Sequence, residues 1–361
     1  MLKTLVITLI PSPYQVELFN WLQDSGAVDC QVAYLQRRLS DRQWAVPPLR
    51  HPAHFLEETA DPGASLRQWA AAADLVVVSN YSAPFVRTLM AWCVREPKPW
   101  CFWGERPGFR QFGALGALYR RWRLRPLHRS GASIWGMGQW AVDGWRAEFG
   151  VNRRYFNIPY FSDLDRYRPQ AHRPVGARRR FLFSGSLIPR KGIDLLLSAF
   201  VRLAAKEPRI ELEVLGAGPL ESALREQSRG LGDRVRFLGF RDWPDLPRVY
   251  HEADVLCVPS RYDGWGLVVP EGLAAGLPTI ATDRMGSALE LVRSGANGWL
   301  IPADQETPLY TAVAEAAALS DAELRQRSEA ASASVRDHSL AAGGRRWLAA
   351  AHATLENNAS T

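Results

Sequence analysis

Two carboxylates eight residues apart, Asp263 and Glu271, lie in a stretch built mostly of glycine, proline and apolar residues: Pro259-Ser260-Arg261-Tyr262-Asp263-Gly264-Trp265-Gly266-Leu267-Val268-Val269-Pro270-Glu271-Gly272. Pro270 is suited to open a helix, which places Glu271 in a first turn and Asp263 in the loop before it. Gly264 and Gly266 would let backbone amides approach a ligand closely. An acid beside amides that attract anions is costly unless it accepts hydrogen bonds, and hydroxyl-rich ligands such as sugars or ribose supply them. The plainer alternative is a loop-capping Asp and a solvated Glu. The apolar residues around Glu271 weigh against it.

Upstream, Gly185-Ser186-Leu187-Ile188-Pro189-Arg190-Lys191-Gly192 precedes a segment of helical apolar period. A glycine turn at Gly185, adjacent cations at Arg190 and Lys191, and helix amides would together make an anion site. The same residues also suit a basic loop facing solvent. The segment is not a P-loop: the spacing to Lys191 is wrong and no Ser or Thr follows it. Gly216-Ala217-Gly218-Pro219 reads equally as a plain strand-to-helix turn or as a close backbone approach to a nucleotide. No complete GxGxxG occurs, which argues against a dinucleotide-binding dehydrogenase.

The elements that must position these residues alternate along the chain. Short β-rich apolar runs are followed by segments of helical period, the pattern of βα units and a parallel sheet. In the first half the runs are 4–10, 30–35, 75–79, 100–103, 132–135 and 155–158. In the second they are 180–184, 211–215, 235–238, 255–258, 279–281 and 298–301. Each series predicts one sheet of about six strands, and ligands of doubly wound sheets bind outside the carboxyl ends of the strands. The α/β chain therefore divides into a Rossmann-like domain over 1–158, an Arg- and Pro-rich linker over 159–179, a second Rossmann-like domain over 180–335, and a C-terminal helix with a polar tail over 336–361.

The length of 361 residues fits two domains, and the 47% hydrophobic and 22% charged content is that of a globular protein. This excludes disordered, collagen-like and disulfide-stapled chains. No apolar run reaches the roughly 18–20 residues that cross a bilayer. The opening run ends at Pro11-Ser12-Pro13 without a small-residue cleavage site. It reads as a first buried strand rather than a signal peptide, predicting a cytoplasmic protein. Cys30, Cys93, Cys101 and Cys257 form no CxxC pair and suit small buried hydrophobes better than metal or redox chemistry. The net charge of +7 is carried almost wholly by arginine, with lysine only at positions 3, 98, 191 and 206.

In order and spacing, GSLIPRKGIDLLLSAF, VLGAGPL, VRFLGF, YHEADVLCVPSRYDGWGLVVPEGLAAGLPTIAT and SGANGWLIP resemble the donor-binding domain of family 4 retaining glycosyltransferases. The likeness is close over about 180–304 and looser in the first half, through IPSPYQVELFNWL and IPYFSDLDRYRP. It implies the GT-B architecture, two Rossmann-like domains facing across a cleft. It implies transfer of a sugar, with retention, from a nucleotide diphosphate sugar to a saccharide or lipid-linked acceptor, as in cell-surface polysaccharide or glycolipid synthesis. By the same resemblance, Lys191 helped by Arg190 neutralises the leaving diphosphate. Glu271, the second acid of an E-x7-E motif, accepts from the ribose hydroxyls, and Asp263, the first, meets the transferred sugar. Phe240 and Arg241 meet the base, largely through backbone groups. Gly264, Trp265 and Gly266 present amides to sugar or phosphate, and Gly185, Gly216, Gly218 and Leu267 line the donor. No cofactor and no metal are implied. Two departures stand out: Asp263 is one methylene shorter than the usual Glu, and Ser186 replaces a frequent arginine, leaving Arg190 as substitute. Two other classes share such a frame. A nucleotide-sugar epimerase or hydrolase would turn over donor without acceptor, and a non-catalytic binder would show no turnover.

Acceptor chemistry falls to the first half. Relatives often carry a histidine after a mid-domain strand; here Trp100-Cys101-Phe102-Trp103-Gly104-Glu105-Arg106-Pro107 has none, so Glu105 is the candidate, with Asn80-Tyr81-Ser82 a second. His128 reads as a packed or solvated residue. The segment 115–129, LGALYRRWRLRPLHR, mixes arginines with Leu, Tyr and Trp. Arg120, Arg121, Arg123 and Arg125 suit a peripheral contact with the inner face of a membrane as well as they suit an ordinary surface helix. No nucleic-acid reader motif accompanies them. Asp163-Leu164-Asp165 falls in the linker and reads as a coincidental D-x-D rather than a metal site.

Overall fold

The computed structural model describes residues 1–39, 44–107, 113–169 and 178–358. Two units share the chain: Met1–Asp163 with Leu340–Thr361, and Leu164–Ser339. In the first unit the strands are β1 (Leu2–Thr8), β2 (Val28–Tyr34), β3 (Ala53–Phe55), β4 (Leu75–Val78), β5 (Trp100–Gly104), β6 (Ser133–Gly136) and β7 (Tyr155–Asn157). They form one parallel sheet in the order β3-β2-β1-β4-β5-β6-β7. In the second unit β8 (Arg179–Ser184), β9 (Ile210–Leu215), β10 (Val235–Gly239), β11 (Val255–Val258), β12 (Thr279–Thr282) and β13 (Gly298–Ile301) form another, ordered β10-β9-β8-β11-β12-β13.

All twelve expected runs are strands, because a parallel sheet covered on both faces needs near-continuous apolar residues. In β8, Phe181 and Phe183 join one buried cluster and Leu182 the cluster on the opposite face; β11 divides Val255 and Cys257 from Leu256 and Val258 in the same way. The helix Ile193–Ala204 presents Ile193, Leu196, Leu197, Phe200 and Leu203 to the first of these clusters, the spacing of one helical face. The first sheet has seven strands rather than about six. β3 is only three half-buried residues at an edge, too short to leave an apolar signature. The four cysteines are buried and free.

The chain divides between Asp163 and Leu164, inside the expected linker. Leu164 and Tyr167 are buried in a core of the second unit, whereas Ile158 is buried in the first. Residues 170–177 of that linker and 359–361 of the polar tail lie outside the described residues. The C-terminal helix, Leu340–Asn358, is no separate piece but part of the first unit. Its Trp347 is fully buried against Trp135 with ring centroids 5.3 Å apart, and Trp135 Nε1 donates to Thr354 Oγ1 at 3.3 Å. Gly344 makes room for Trp21, whose ring carbons would lie 2.0 Å from an added Cβ.

Candidate functional site

β8 and β11 are neighbours in the sheet though distant in sequence, so the loops leaving their carboxyl ends start side by side where strand order reverses. The loop after β8 closes in a 3-10 turn, Pro189–Lys191, followed by Gly192 in the left-handed region at φ +70°. A Cβ on Gly192 would lie 2.0 Å from the Pro259 carbonyl oxygen, so only glycine lets the two loops meet. Lys191 Nζ donates directly to Asp263 Oδ2, and Arg190 Nη1 stands 3.9 Å from the same oxygen. Arg190 also donates to the Tyr262 carbonyl at 3.0 Å. The side chains of Lys191 and Asp263 are each 16% exposed, which lessens solvent screening of the pair. Two cations against one carboxylate leave a net positive centre, fit for an anion, beside an acid able to accept from a hydroxyl.

Arg261 fixes this arrangement, a role no sequence signal suggested. Its guanidinium reaches both oxygens of Asp194 at 2.8 and 2.7 Å, Asp304 at 2.6 Å, and the Pro189 carbonyl. Its amide donates to the Arg190 carbonyl at 2.9 Å. This fork ties the 3-10 turn to the start of helix Ile193–Ala204 and to the residues after β13. Burial alone would raise the Asp194 carboxyl, but the bonds from Arg261 prevail and hold it below its ordinary value.

Glu271 lies in the first turn of the helix Val268–Ala274, which starts two residues before Pro270 rather than at it. Proline is tolerated there because the early N–H groups have no intrahelical partner. The glutamate is 8% exposed. Tyr250, fully buried at the end of the helix Leu246–His251, puts its hydroxyl 3.0 Å from Ser184 Oγ and 3.4 Å from Glu271 Oε2. A carboxylate only accepts, so the tyrosine proton points to Glu271 and Ser184 donates to the tyrosine oxygen. Burial, reinforced by the charge of Glu271, pushes Tyr250 well above its ordinary pKa, and Tyr167 beside the same carboxylate likewise. Both phenols therefore stay protonated. Tyr250, Ser184 and Tyr167 were not legible as site residues.

The remaining expected donor residues separate into two groups. Gly185, Gly264, Gly266 and Leu267 lie in the loops just described, with Leu267 capping the Glu271 helix. Ser287 Oγ donates to the carbonyls of Trp265 and Gly266 at 2.6 and 2.8 Å, pinning that turn. The Trp265 side chain does not line a ligand space: it is fully buried and stacked on His338, centroids 5.4 Å apart. Gly216 and Gly218 serve loop packing. A Cβ on Gly216 would lie 1.9 Å from the Gly185 carbonyl oxygen, and one on Gly218 2.6 Å from that of Leu187. Phe240 and Arg241 are exposed at the end of edge strand β10, two strands from β8.

In the first unit Glu105 follows β5, where Tyr160 donates to its Oε1 at 3.1 Å. Asn80 Oδ1 accepts from the Ser82 amide at 2.8 Å and its hydroxyl at 2.6 Å, a local turn. Of the four arginines expected on a membrane face, two turn inward. Arg120 donates to Glu148 at 2.7 Å, and Arg123 donates to the carbonyls of Tyr81 and Ser82. Arg121 and Arg125 remain exposed. Asp165 of the D-x-D pairs with Arg168 at 2.8 Å.

Residues 168–334 match the family model described as Glycosyl transferases group 1. A GDP-mannose-dependent monoacylated alpha-(1-6)-phosphatidylinositol monomannoside mannosyltransferase of Corynebacterium glutamicum is 26% identical over 196 residues, 50% of this chain and 49% of that protein. A D-inositol 3-phosphate glycosyltransferase of Geodermatophilus obscurus is 35% identical over 192 residues, 46% of this chain and 42% of the relative. The matched segments thus span about half the length of these curated relatives. In structure, Anabaena HepE solved with UDP superposes with a TM-score of 0.78 at 17% identity, over 98% of this chain and 100% of that one. Sucrose-phosphate synthase from Thermosynechococcus elongatus gives 0.72 at 18%, over 97% and 100%.

Proposed function

From a chain whose residues 168–334 are a group 1 glycosyltransferase domain in a GT-B fold, we propose that the protein is a retaining glycosyltransferase of family 4. It moves a sugar from a nucleoside diphosphate sugar to a saccharide or lipid-linked acceptor. The observation that carries this reading is the meeting of Arg190, Lys191 and Asp263 at the strand-order reversal, with the buried Glu271 on the adjoining helix. The two cations and the Gly185 turn receive the diphosphate, and their positive charge is in place before charge develops on the leaving group. Glu271, its Oε2 held by Tyr250, accepts from the ribose hydroxyls. Asp263 accepts from a hydroxyl of the transferred sugar once Lys191 turns to the phosphate. Arg190 and Lys191 supply the cationic charge, so the reaction needs no metal. The nucleotides named for the mannosyltransferase and for HepE support a nucleoside diphosphate donor.

On the acceptor side, Glu105 is the candidate to orient or activate the attacking hydroxyl. Among the described residues no helix is long and apolar enough to cross a membrane. A peripheral contact with the inner face of the membrane is made through 115–129, a reading supported by the exposure of Arg121 and Arg125.

Thermal unfolding with UDP-, GDP-, ADP- and dTDP-sugars, run in EDTA, tests the donor site. A ligand at 100 times its Kd adds about 2.7 kcal/mol. One nucleotide should raise the melting temperature of the wild type and not of Glu271→Gln. No shift with any of them would overturn the donor site. Donor consumption at full rate without acceptor would move the reading to a hydrolase or epimerase.

A further inference from the structure

The ion pair between Lys191 and Asp263 sits where a diphosphate would bind. A Cβ added to Gly185 would lie 3.9 Å from Lys191 Cγ and Cδ. One added to Gly266 would lie 3.4 Å from Asp263 Cγ and 3.5 Å from its Oδ2. The pair therefore bridges the two glycine turns that a phosphate would have to enter. Asp263 is held by its backbone: its amide donates to the Arg284 carbonyl at 2.9 Å, and its carbonyl accepts from the Gly286 amide at 3.3 Å. Lys191 meets the carboxylate through one ammonium on a flexible four-carbon stem, a point charge that turns readily from one acceptor to another. Arg261 is the opposite case, committed through both terminal nitrogens to the two oxygens of Asp194. Of these two pairs, the one at the diphosphate position is the one built to exchange.

Arg190 and Lys191 without a carboxylate beside them would take any small anion, inorganic phosphate included. We propose that Asp263 is the residue that sets specificity against such anions: it holds Lys191 as an internal anion and yields it only to a phosphate whose ligand brings further contacts. Inorganic phosphate and pyrophosphate bring none, so they must displace the carboxylate for the phosphate contacts alone. A nucleoside diphosphate sugar adds the ribose hydroxyls at Glu271. It also adds a sugar hydroxyl, which gives Asp263 a new partner once Lys191 has left it. Selectivity then comes from stabilising the unliganded state against the wrong ligands, as well as from binding the right one. The nucleoside diphosphate left after transfer lacks the sugar hydroxyl, so Asp263 reclaims Lys191 and favours its departure. This deepens the donor-site reading and rests on it.

Isothermal titration of the full chain with pyrophosphate, in metal-free buffer of fixed ionic strength, tests this. Wild type, Asp263→Asn, Lys191→Ala and the double variant are compared. Asp263→Asn should bind pyrophosphate about fivefold more tightly than the wild type, equivalent to roughly 1 kcal/mol, the upper range for a partly exposed ion pair. The same change in the Lys191→Ala background should bring no gain, because the two residues act through one contact. A cooperative melt shows that each variant is folded, and Asp263→Ser carries the same expectation should the Asn variant not fold. The nucleoside diphosphate that the melting screen selects should gain likewise. Its sugar conjugate should gain less, since it loses a hydrogen bond to Asp263 at the same time. Equal, weaker or undetectable pyrophosphate binding by Asp263→Asn would overturn the proposal. So would a gain that persists without Lys191, which would reduce Asp263 to a general repulsive charge. The nucleotide-induced melting shift of the wild type reports separately on the donor site: a shift without the pyrophosphate gain keeps that reading and removes this one.

Discussion

In the second unit the loops leaving β8 and β11, where strand order reverses, bring Arg190, Lys191 and Asp263 into contact. In the first unit the equivalent loops follow β1 and β4, and they hold Pro11-Ser12-Pro13 and Asn80-Tyr81-Ser82. The polar groups of Asn80-Tyr81-Ser82 are engaged with each other and with Arg123. A conspicuous buried polar network of that unit is instead Tyr34, His51 and Asn20, beside β2. The same sheet topology thus carries charge poised for a ligand in one unit and, in the other, neutral groups that satisfy one another. Topology marks where chemistry can sit; the loop residues decide whether it does.

The sharpest way to break this contrast is Lys191→Ala. If the charge poised at β8 and β11 stabilises a leaving diphosphate, its loss should remove about 2–4 kcal/mol of transition-state stabilisation, read as kcat/KM for transfer. The protein should remain folded, because Arg190, 3.9 Å from the same Asp263 oxygen, still offsets its charge. A near-wild-type rate would end the assignment.

The first unit's network predicts a response of the opposite kind, in stability alone. Asn20 Oδ1 only accepts, so His51 Nδ1 carries the proton and Nε2 accepts from Tyr34, both at 2.8 Å. Burial, with a smaller contribution from Arg50, lowers the His51 pKa to about 4. The unfolded chain therefore takes up this proton first. The neutral imidazole's contribution is complete above about pH 6.5 and declines as pH falls toward 4, by on the order of 3 kcal/mol. Urea unfolding at pH 7 and pH 4.5 should show a smaller acid loss in His51→Gln than in the wild type. Equal losses would place the acid sensitivity elsewhere.

The legible parts were those where local chemistry decides. Apolar runs became strands because both sheet faces are covered, and Arg190, Lys191, Asp263 and Glu271 stood out against glycines and prolines that punctuate their loops. What escaped depends on partners far along the chain. Ser184 and Tyr250 meet across 66 residues, and Arg261 and Asp194 across 67. The C-terminal helix joins the first unit because Trp347 finds Trp135, which no local pattern announces. Direction was a second blind spot: composition placed arginines in the helix after β5 without saying that Arg120 and Arg123 turn inward. The Trp265 loop is expected to offer backbone amides, and the anchoring of its ring on His338 depends on a partner far along the chain.

Tyr250→Phe is the finest probe of the second unit's half of the contrast, because it deletes one hydroxyl and keeps the buried ring. If Tyr250 holds Glu271 for a ribose, the carboxylate keeps its charge but loses one donor. Nucleotide affinity should then fall by about 1 kcal/mol, the net worth of one hydrogen bond. The loss should shrink for a 2′-deoxy nucleotide, which offers the glutamate one hydroxyl fewer. In the Glu271→Gln background the same change should have little further effect, since contacting residues are not additive. Isothermal titration of the four proteins closes this cycle. Full additivity would mean that Tyr250 supports the fold near β8 without orienting Glu271.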